Sequence, residues 1–415
     1  MSRHFRHRLP PAPIRGVSLV EMMIAITLAS FLLVGLIQVF AGSKAAYQLS
    51  EGLSRSQENG RFALEFMQRD IRMAGHFGCV NQQALLTTGP SALNLLFAAF
   101  AAPGTRSIAQ YDAIPQQSLH FHAAPLGYEY VGSAGSTAPL STLNLTGSEN
   151  PGVSSNANDW NPALPAELVG RVIPGSDVVF LHYLSADGVP VTALSSSTIQ
   201  FDPANWDLLR GDLVTPGLYG VSQCGSGGVA TVFQATSVNG TTGTITIAPS
   251  TIGGAASGLN KTGMVTALEQ YPPQQTSLYR ALSIAYYVGV GSGGGPSLFR
   301  AQFDSVPGTA AVTPTIDEVV EGVDTLQVLY GSGTTAAPAV MRNLQTAQQV
   351  EAANAWPRVG VVQIGLLLRS PERASVAAAV LNPMVLGVTV NPPPDRRIRT
   401  PYEATIAIRN QLFGN

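Results

Sequence analysis

Charge is scarce in this 415-residue chain. Lys, Arg, Asp and Glu together make up 12% of it, about half the ~25% usual in soluble domains. Gly, Ser, Thr, Ala, Pro, Asn and Gln fill the difference, a composition suited to a secreted, β-rich surface with many turns. Cysteine occurs twice, as Cys79 and Cys224, and neither stands beside a His or other base in a pattern that would activate a thiolate. Basic residues form no patch, which leaves no case for direct nucleic-acid binding. Gly-x-Ser-x-Gly, His-Glu-x-x-His, Walker-loop and EF-hand patterns are all missing, so the chain reads as no enzyme, with no cofactor and no metal. Before Glu21 there is no acidic residue at all, whereas Arg3, Arg6, Arg8 and Arg15 precede it.

The segment just after Glu21 is the strongest signal in the chain. Met22 to Ser43 is uncharged, and 22 residues of helix span about 33 Å, enough for a bilayer core. The arginines ahead of it hold the N-terminus in the cytoplasm and send the rest outward. A carboxylate at the edge of hydrocarbon is costly, about 2.5–3.5 kcal/mol at mid-membrane, so Glu21 calls for a partner. A secretory signal has a shorter apolar region of roughly 7–15 residues, although Phe40-Ala41-Gly42-Ser43 offers a passable cleavage site. A plain uncleaved anchor fits the hydropathy but leaves Gly16 and Glu21 unexplained. No other stretch spans a membrane: Ser375–Val390 is apolar but broken by Asn382-Pro383 and Gly387.

The series Ile14-Arg15-Gly16-Val17-Ser18-Leu19-Val20-Glu21 resembles the class III leader of type IV prepilins and pseudopilins. The resemblance implies cleavage by a prepilin peptidase after Gly16, which removes residues 1–16 and makes Val17 the N-methylated first residue. Family members usually begin with Phe; Val17 is a tolerated departure. Glu21 becomes the fifth mature residue, implied to pair with the α-ammonium of a neighbouring subunit and so register it in the filament. Removing four Arg from 23 basic residues leaves 19 against 25 acidic ones, a mature net charge of −6. In an oxidising periplasm the lone pair Cys79 and Cys224 reads as a disulfide.

The helix should continue beyond the membrane. From Lys44 to Ala74 there is no Pro, and Leu64, Met67, Ile71 and Ala74 mark one apolar stripe. Glu65 and Arg69 offer an i,i+4 pair. Gly60 is the weak point, and Gly75 and Gly78 are stop signals. The expectation is a helix of about 55 residues: residues 17–43 form its transmembrane and assembly half, residues 44–78 an amphipathic half. Residues 79–415 form a β-rich periplasmic head. Strand candidates are Ser118–His122, Asp177–Leu184, Val229–Val238, Thr244–Ile247, Leu278–Val290, Leu298–Phe303, Thr325–Tyr330, Val359–Arg369 and Tyr402–Arg409, with inward Tyr402, Ala404 and Ile406 in the last. Gly132–Pro162 reads as surface loop. Tyr271-Pro272-Pro273-Gln274-Gln275 offers a division into two lobes near residues 271–276. The class is α+β.

His120-x-His122, with His182, is a conceivable zinc trio, but no acidic residue or cysteine stands at a helpful spacing, and partly exposed strand histidines are the plainer reading. Gly289-x-Gly291-x-x-Gly294 spells a dinucleotide fingerprint, yet Pro296 and a strand come next, so it is a hairpin loop.

Further blocks narrow the resemblance: Glu58 to Glu65, Asp70 to Gly75 with Cys79, Gly175 to Val179, Gly211 to Val214, Leu298 to Arg300, Gly322 to Gly331 and Ala404 to Asn410. Together they resemble PilW-type minor pilins of type IV pili. This resemblance implies a subunit held in the inner membrane and incorporated at or near the pilus tip, where it helps prime assembly. Motility and adhesion are downstream of that role. The implied partners are FimU-, PilV- and PilX-type minor pilins, the major pilin and a PilY-type tip adhesin. Assembly would proceed by helix packing of residues 17–55. A J-type pseudopilin of type II secretion shares the N-terminus but is usually much shorter. A membrane-anchored enzyme or binding protein with an intact leader is the rival from another class.

Overall fold

The computed structural model describes residues 16–80, 93–95, 116–132, 140–145, 151–224, 229–248, 258–260, 271–333, 344–373 and 382–411. The expected leader, apart from Gly16, lies outside the described residues. One helix, α1, runs from Leu19 to Met73 over 55 residues, about 82 Å at ~1.5 Å per residue. It passes Gly60 unbroken and stops where Gly75 and Gly78 take left-handed φ values of 73° and 70°, backbone that glycine adopts without penalty.

Nine strands position the regions of interest: β1 (Pro125–Tyr130), β2 (Val178–Leu184), β3 (Leu218–Gln223), β4 (Thr276–Val290), β5 (Pro296–Ser305), β6 (Val312–Glu321), β7 (Val323–Ser332), β8 (Val359–Arg369) and β9 (Arg399–Ala407). β1–β2–β4–β5–β6 is an antiparallel series within a sheet that has 13 strands among the described residues. The first residues of β4 pair instead with β3. Its 15 residues are nearly all buried, as a strand covered on both faces must be. The turn Pro273–Gln275 leads straight into β4, which pairs with strands on either side of it in sequence. β7–β8–β9 form a separate antiparallel sheet. In β9, Ile406 is buried and Tyr402 and Ala404 are half-buried, whereas Glu403 and Thr405 are exposed, the expected alternation. The glycine run between β4 and β5 is a hairpin connection.

The C-terminal half of α1 is part of the core. Ala63, Met67, Ile71 and Ala74 are fully buried in the same apolar cluster as Tyr286, Leu326, Ile364 and Ile406. Further toward the N-terminus the buried stripe continues as Gly52, Ser56 and Gly60, small residues that let the helix lie close to the head. A Cβ on Gly60 would stand 2.7 Å from the Tyr402 ring, so the apparent weak point of the helix is its closest approach to β9.

Three local expectations are corrected. Ser118–His122 is no strand: Gln117–Leu119 is a 3-10 turn, and Phe121 N–H donates to the Leu119 carbonyl at 2.8 Å. Residues 119–122 are all buried, so their alternation reflects no exposed face. Within Gly132–Pro162, Thr142–Asn144 and Trp160–Asn161 form short strands. Trp160 is buried among the core residues of the large cluster. The ion pair on the solvent side of α1 is Glu51–Arg55, at 2.7 Å, with none between Glu65 and Arg69.

Candidate functional site

Among the described residues, the N-terminal half of α1 packs against nothing. Phe31 is 78% and Leu32 75% exposed, and every large apolar side chain from Val17 to Phe40 shares that condition. The segment is long and apolar enough to cross a membrane. Its hydroxyls suit that setting, because Thr27 Oγ1 donates to the Met23 carbonyl and Ser30 Oγ to the Ile26 carbonyl, each at 2.8 Å. Polar hydrogens are thereby satisfied within the helix. An apolar surface of this extent requires lipid or other helices.

Gly16 and Val17 lie just ahead of α1, with Ser18 in extended backbone at the N-cap. Glu21 is in the first turn and exposed, where the helix dipole favours a negative charge. Gly16, Val17 and Glu21 are therefore close together at the exposed N-terminal end of the helix.

At the other end, a second carboxylate fixes the helix to the head. Asp70 is 8% exposed and accepts three hydrogen bonds from three strands. Tyr183 Oη of β2 donates at 2.8 Å, Tyr286 Oη of β4 at 2.7 Å and Arg300 Nε of β5 at 2.9 Å. Burial and the Asp70 charge push both tyrosine hydroxyls well above their ordinary range, so they remain donors. The angle between α1 and the large sheet is thus set by a charge-assisted network. Asn59 adds a long contact to the Glu321 carbonyl, 3.5 Å.

Cys79 and Cys224 are joined as expected, with Cα atoms 5.1 Å apart and a sequence separation of 145. The bond ties the chain just after α1 to the end of β3, and Cys79 N–H donates to Ser222 Oγ at 3.1 Å. Closing a loop of this length stabilises by about 5 kcal/mol in the chain-entropy account. The Cys79→Ser variant should lose up to that amount; denaturant unfolding that is unchanged by the substitution would contradict a structural role.

The structure places His120, His122 and His182 in one buried cluster. The rings of His120 and His122 are 5.1 Å apart, and all three residues are buried rather than partly exposed. His182 sets Nδ1 2.9 Å from the Ala123 carbonyl and Nε2 3.1 Å from the Gln117 carbonyl. Both ring nitrogens face backbone carbonyls, to one of which a neutral ring can donate, and the described residues contain no metal-holding group. Burial, with His120 nearby, pushes His182 down to about 3, and burial lowers His122 as well.

Elsewhere in the core, Glu129 of β1 and Asp177 share an apolar setting. Asp177 accepts from Tyr130 N–H and Val328 N–H, each at 2.9 Å. Burial raises both carboxylates well above their usual range. The signs oppose one another. Folded histidines bind fewer protons than unfolded ones below about pH 6.5, so acid destabilises the head. The folded carboxylates bind more protons than unfolded ones above about pH 4, so alkali destabilises it. The midpoint of thermal unfolding should therefore fall as pH rises from about 6.5 to 9 and fall again below about pH 4; a midpoint rising steadily to about pH 9 would contradict this.

Sequence reasoning missed the Asp70 network. A signal was present: Asp70 sits within the stripe of Met67, Ile71 and Ala74, where a charge demands a buried partner.

Comparison with known proteins adds two findings. Residues 285–410, from the second half of β4 through β9, match the family described as Type IV Pilus-assembly protein W. A solved structure, the type IV-like pilin TTHA1219 from Thermus thermophilus, is 22% identical; the match covers 32% of this chain and 69% of that one, with a TM-score of 0.21. No curated protein matches the chain. The resemblance to PilW-type minor pilins read from the sequence is thus borne out over the C-terminal part, and the family match supports a pilus-associated minor pilin.

Proposed function

We propose that this chain is a minor pilin that waits in the inner membrane and enters a type IV pilus at or near its tip, helping to prime assembly. The observation that carries the reading is α1 itself: one continuous helix whose C-terminal half is core and whose N-terminal half is bare apolar surface. Such a helix has two settings, lipid before assembly and neighbouring helices after it. The match over residues 285–410 supports the pilus over other uses of that architecture.

In this reading residues 1–16 are a leader removed by a prepilin peptidase, and Val17 carries the new, N-methylated α-ammonium. Glu21 of an adjacent subunit receives that charge. In hydrocarbon, a carboxylate and an ammonium are each costly alone and far less so together. Only a subunit seated at the correct axial step brings them into contact, so the pair selects register. Residues 17–43 then pack among other helices, and the head, residues 79–415, faces outward. The partners proposed are the major pilin, FimU-, PilV- and PilX-type minor pilins and a PilY-type tip adhesin. Twitching motility and adhesion are consequences of the fibre, and the chain performs no catalysis of its own.

Sheared surface fibres test this directly. The chain should co-purify with them in small amounts, and its deletion should reduce fibre number. Normal fibres without it, together with retention of the chain in the membrane fraction, would overturn the proposal.

A further inference from the structure

Where α1 leaves the head, a cavity of about 350 Å³ lies between helix and head. Arg55 and Asn59 enter it from α1, Ser297 from β5, Glu321 from the end of β6, Arg369 from the end of β8, and Arg397 from the approach to β9. Among the described residues, three arginines and one glutamate line this space.

The surrounding ion pairs leave Arg369 weakly held. Asp324 gives one oxygen to Arg399 Nε at 2.7 Å, and Asp395 takes both terminal nitrogens of Arg399 at 2.8 and 2.7 Å. Arg369 Nη1 reaches the other Asp324 oxygen at 3.6 Å, longer than a hydrogen bond, although its side chain is only 10% exposed. Burial works against its charge. Arg369 also lines a second cavity of about 360 Å³, beside Tyr130 and Ile173. A buried guanidinium that lines a cavity and is held by one long contact is a fork suited to a planar or tetrahedral oxyanion. Arg397 gives N–H bonds to the carbonyls of Ser370 and Pro371, which fixes its position at the rim. Arg55 pairs with Glu51 on the helix surface, a weak exposed contact that an anion in the cavity can displace.

We propose that this cavity binds an oxyanion, a phosphate or carboxylate group, between Arg55, Arg369 and Arg397. Arg55 lies 12 residues beyond Ser43, about 18 Å along the helix. The headgroup layer on one side of a bilayer is only about 5–8 Å thick. The anion therefore comes from solution or from a neighbouring protein rather than from a lipid. The site does not depend on the pilus reading.

Titration of the full chain in neutral detergent tests the proposal, with inorganic phosphate and citrate as probes against sodium chloride at matched ionic strength. One of the two should bind at one per chain and raise the unfolding midpoint. Arg55→Gln should weaken that binding about tenfold while leaving the anion-free midpoint unchanged, since Arg55 is 60% exposed at its side chain. Arg369→Gln should weaken it further. Absence of binding heat and of any midpoint rise would overturn the site. Equal binding by wild type and Arg55→Gln would do the same, marking an adventitious ion only. Stabilisation by phosphatidylglycerol nanodiscs, with neither soluble anion effective, would overturn the placement beyond the headgroups.

Discussion

Replacing Glu21 with Ala should leave the chain in the membrane and reduce its appearance in surface fibres by roughly tenfold or more. Membrane insertion depends on the apolar run from Met22 to Ser43, and removing a carboxylate makes that run longer and less costly. Assembly is different. In the proposed filament the α-ammonium of Val17 faces low dielectric, and without Glu21 nothing neutralises it. A charge-assisted hydrogen bond contributes about 1.5–3 kcal/mol, and about 1.4 kcal/mol is a tenfold change in occupancy. Glu21→Gln should behave like Ala, because the amide carries no charge. Fractionation of membranes and sheared fibres separates the two steps. Normal fibre content in the Glu21→Ala strain would remove the registration role.

Asp70→Ala should destabilise the head by about 3–5 kcal/mol, the range for breaking a buried ion pair by deleting one partner. The loss is large because three donors are stranded together: Arg300, whose side chain is 17% exposed, and the buried hydroxyls of Tyr183 and Tyr286. Asp70→Asn keeps an acceptor for one hydroxyl and should fall between. Pairing Asp70→Ala with Arg300→Leu should recover part of the loss, since the uncompensated cation disappears. Unfolding of the full chain in detergent gives all three values. A change below about 1 kcal/mol for Asp70→Ala would mean that apolar packing alone docks the helix.

The helix was legible to within a few residues because its signals are local. Charge absence from Met22 to Ser43, the apolar stripe at Met67, Ile71 and Ala74, and the glycines at 75 and 78 require no knowledge of the head. Strands rich in β-branched, aromatic and other apolar residues, such as β2, β4 and β8, are equally plain. The misreadings share a different cause. Gly60 weakens a helix in isolation, and only the ring of Tyr402, 342 residues away in sequence, explains its presence. The Ser118–His122 alternation mimics a strand until tertiary burial covers both sides. Asp70 stands in a block that resembles the family, but Tyr183, Tyr286 and Arg300 lie on three separate strands whose pairing a single sequence does not state. Long-range contacts decided each case.

In the proposed reading, Gly16 ends a leader and Val17 begins the working subunit. Intact mass measurement of the membrane-extracted chain, from cells with and without the prepilin peptidase, decides this. The expected result is a chain beginning at N-methylated Val17 when the peptidase is present, and one retaining Met1 to Gly16 when it is absent. A chain that keeps its first sixteen residues in both backgrounds would contradict the claim and leave α1 an ordinary anchor.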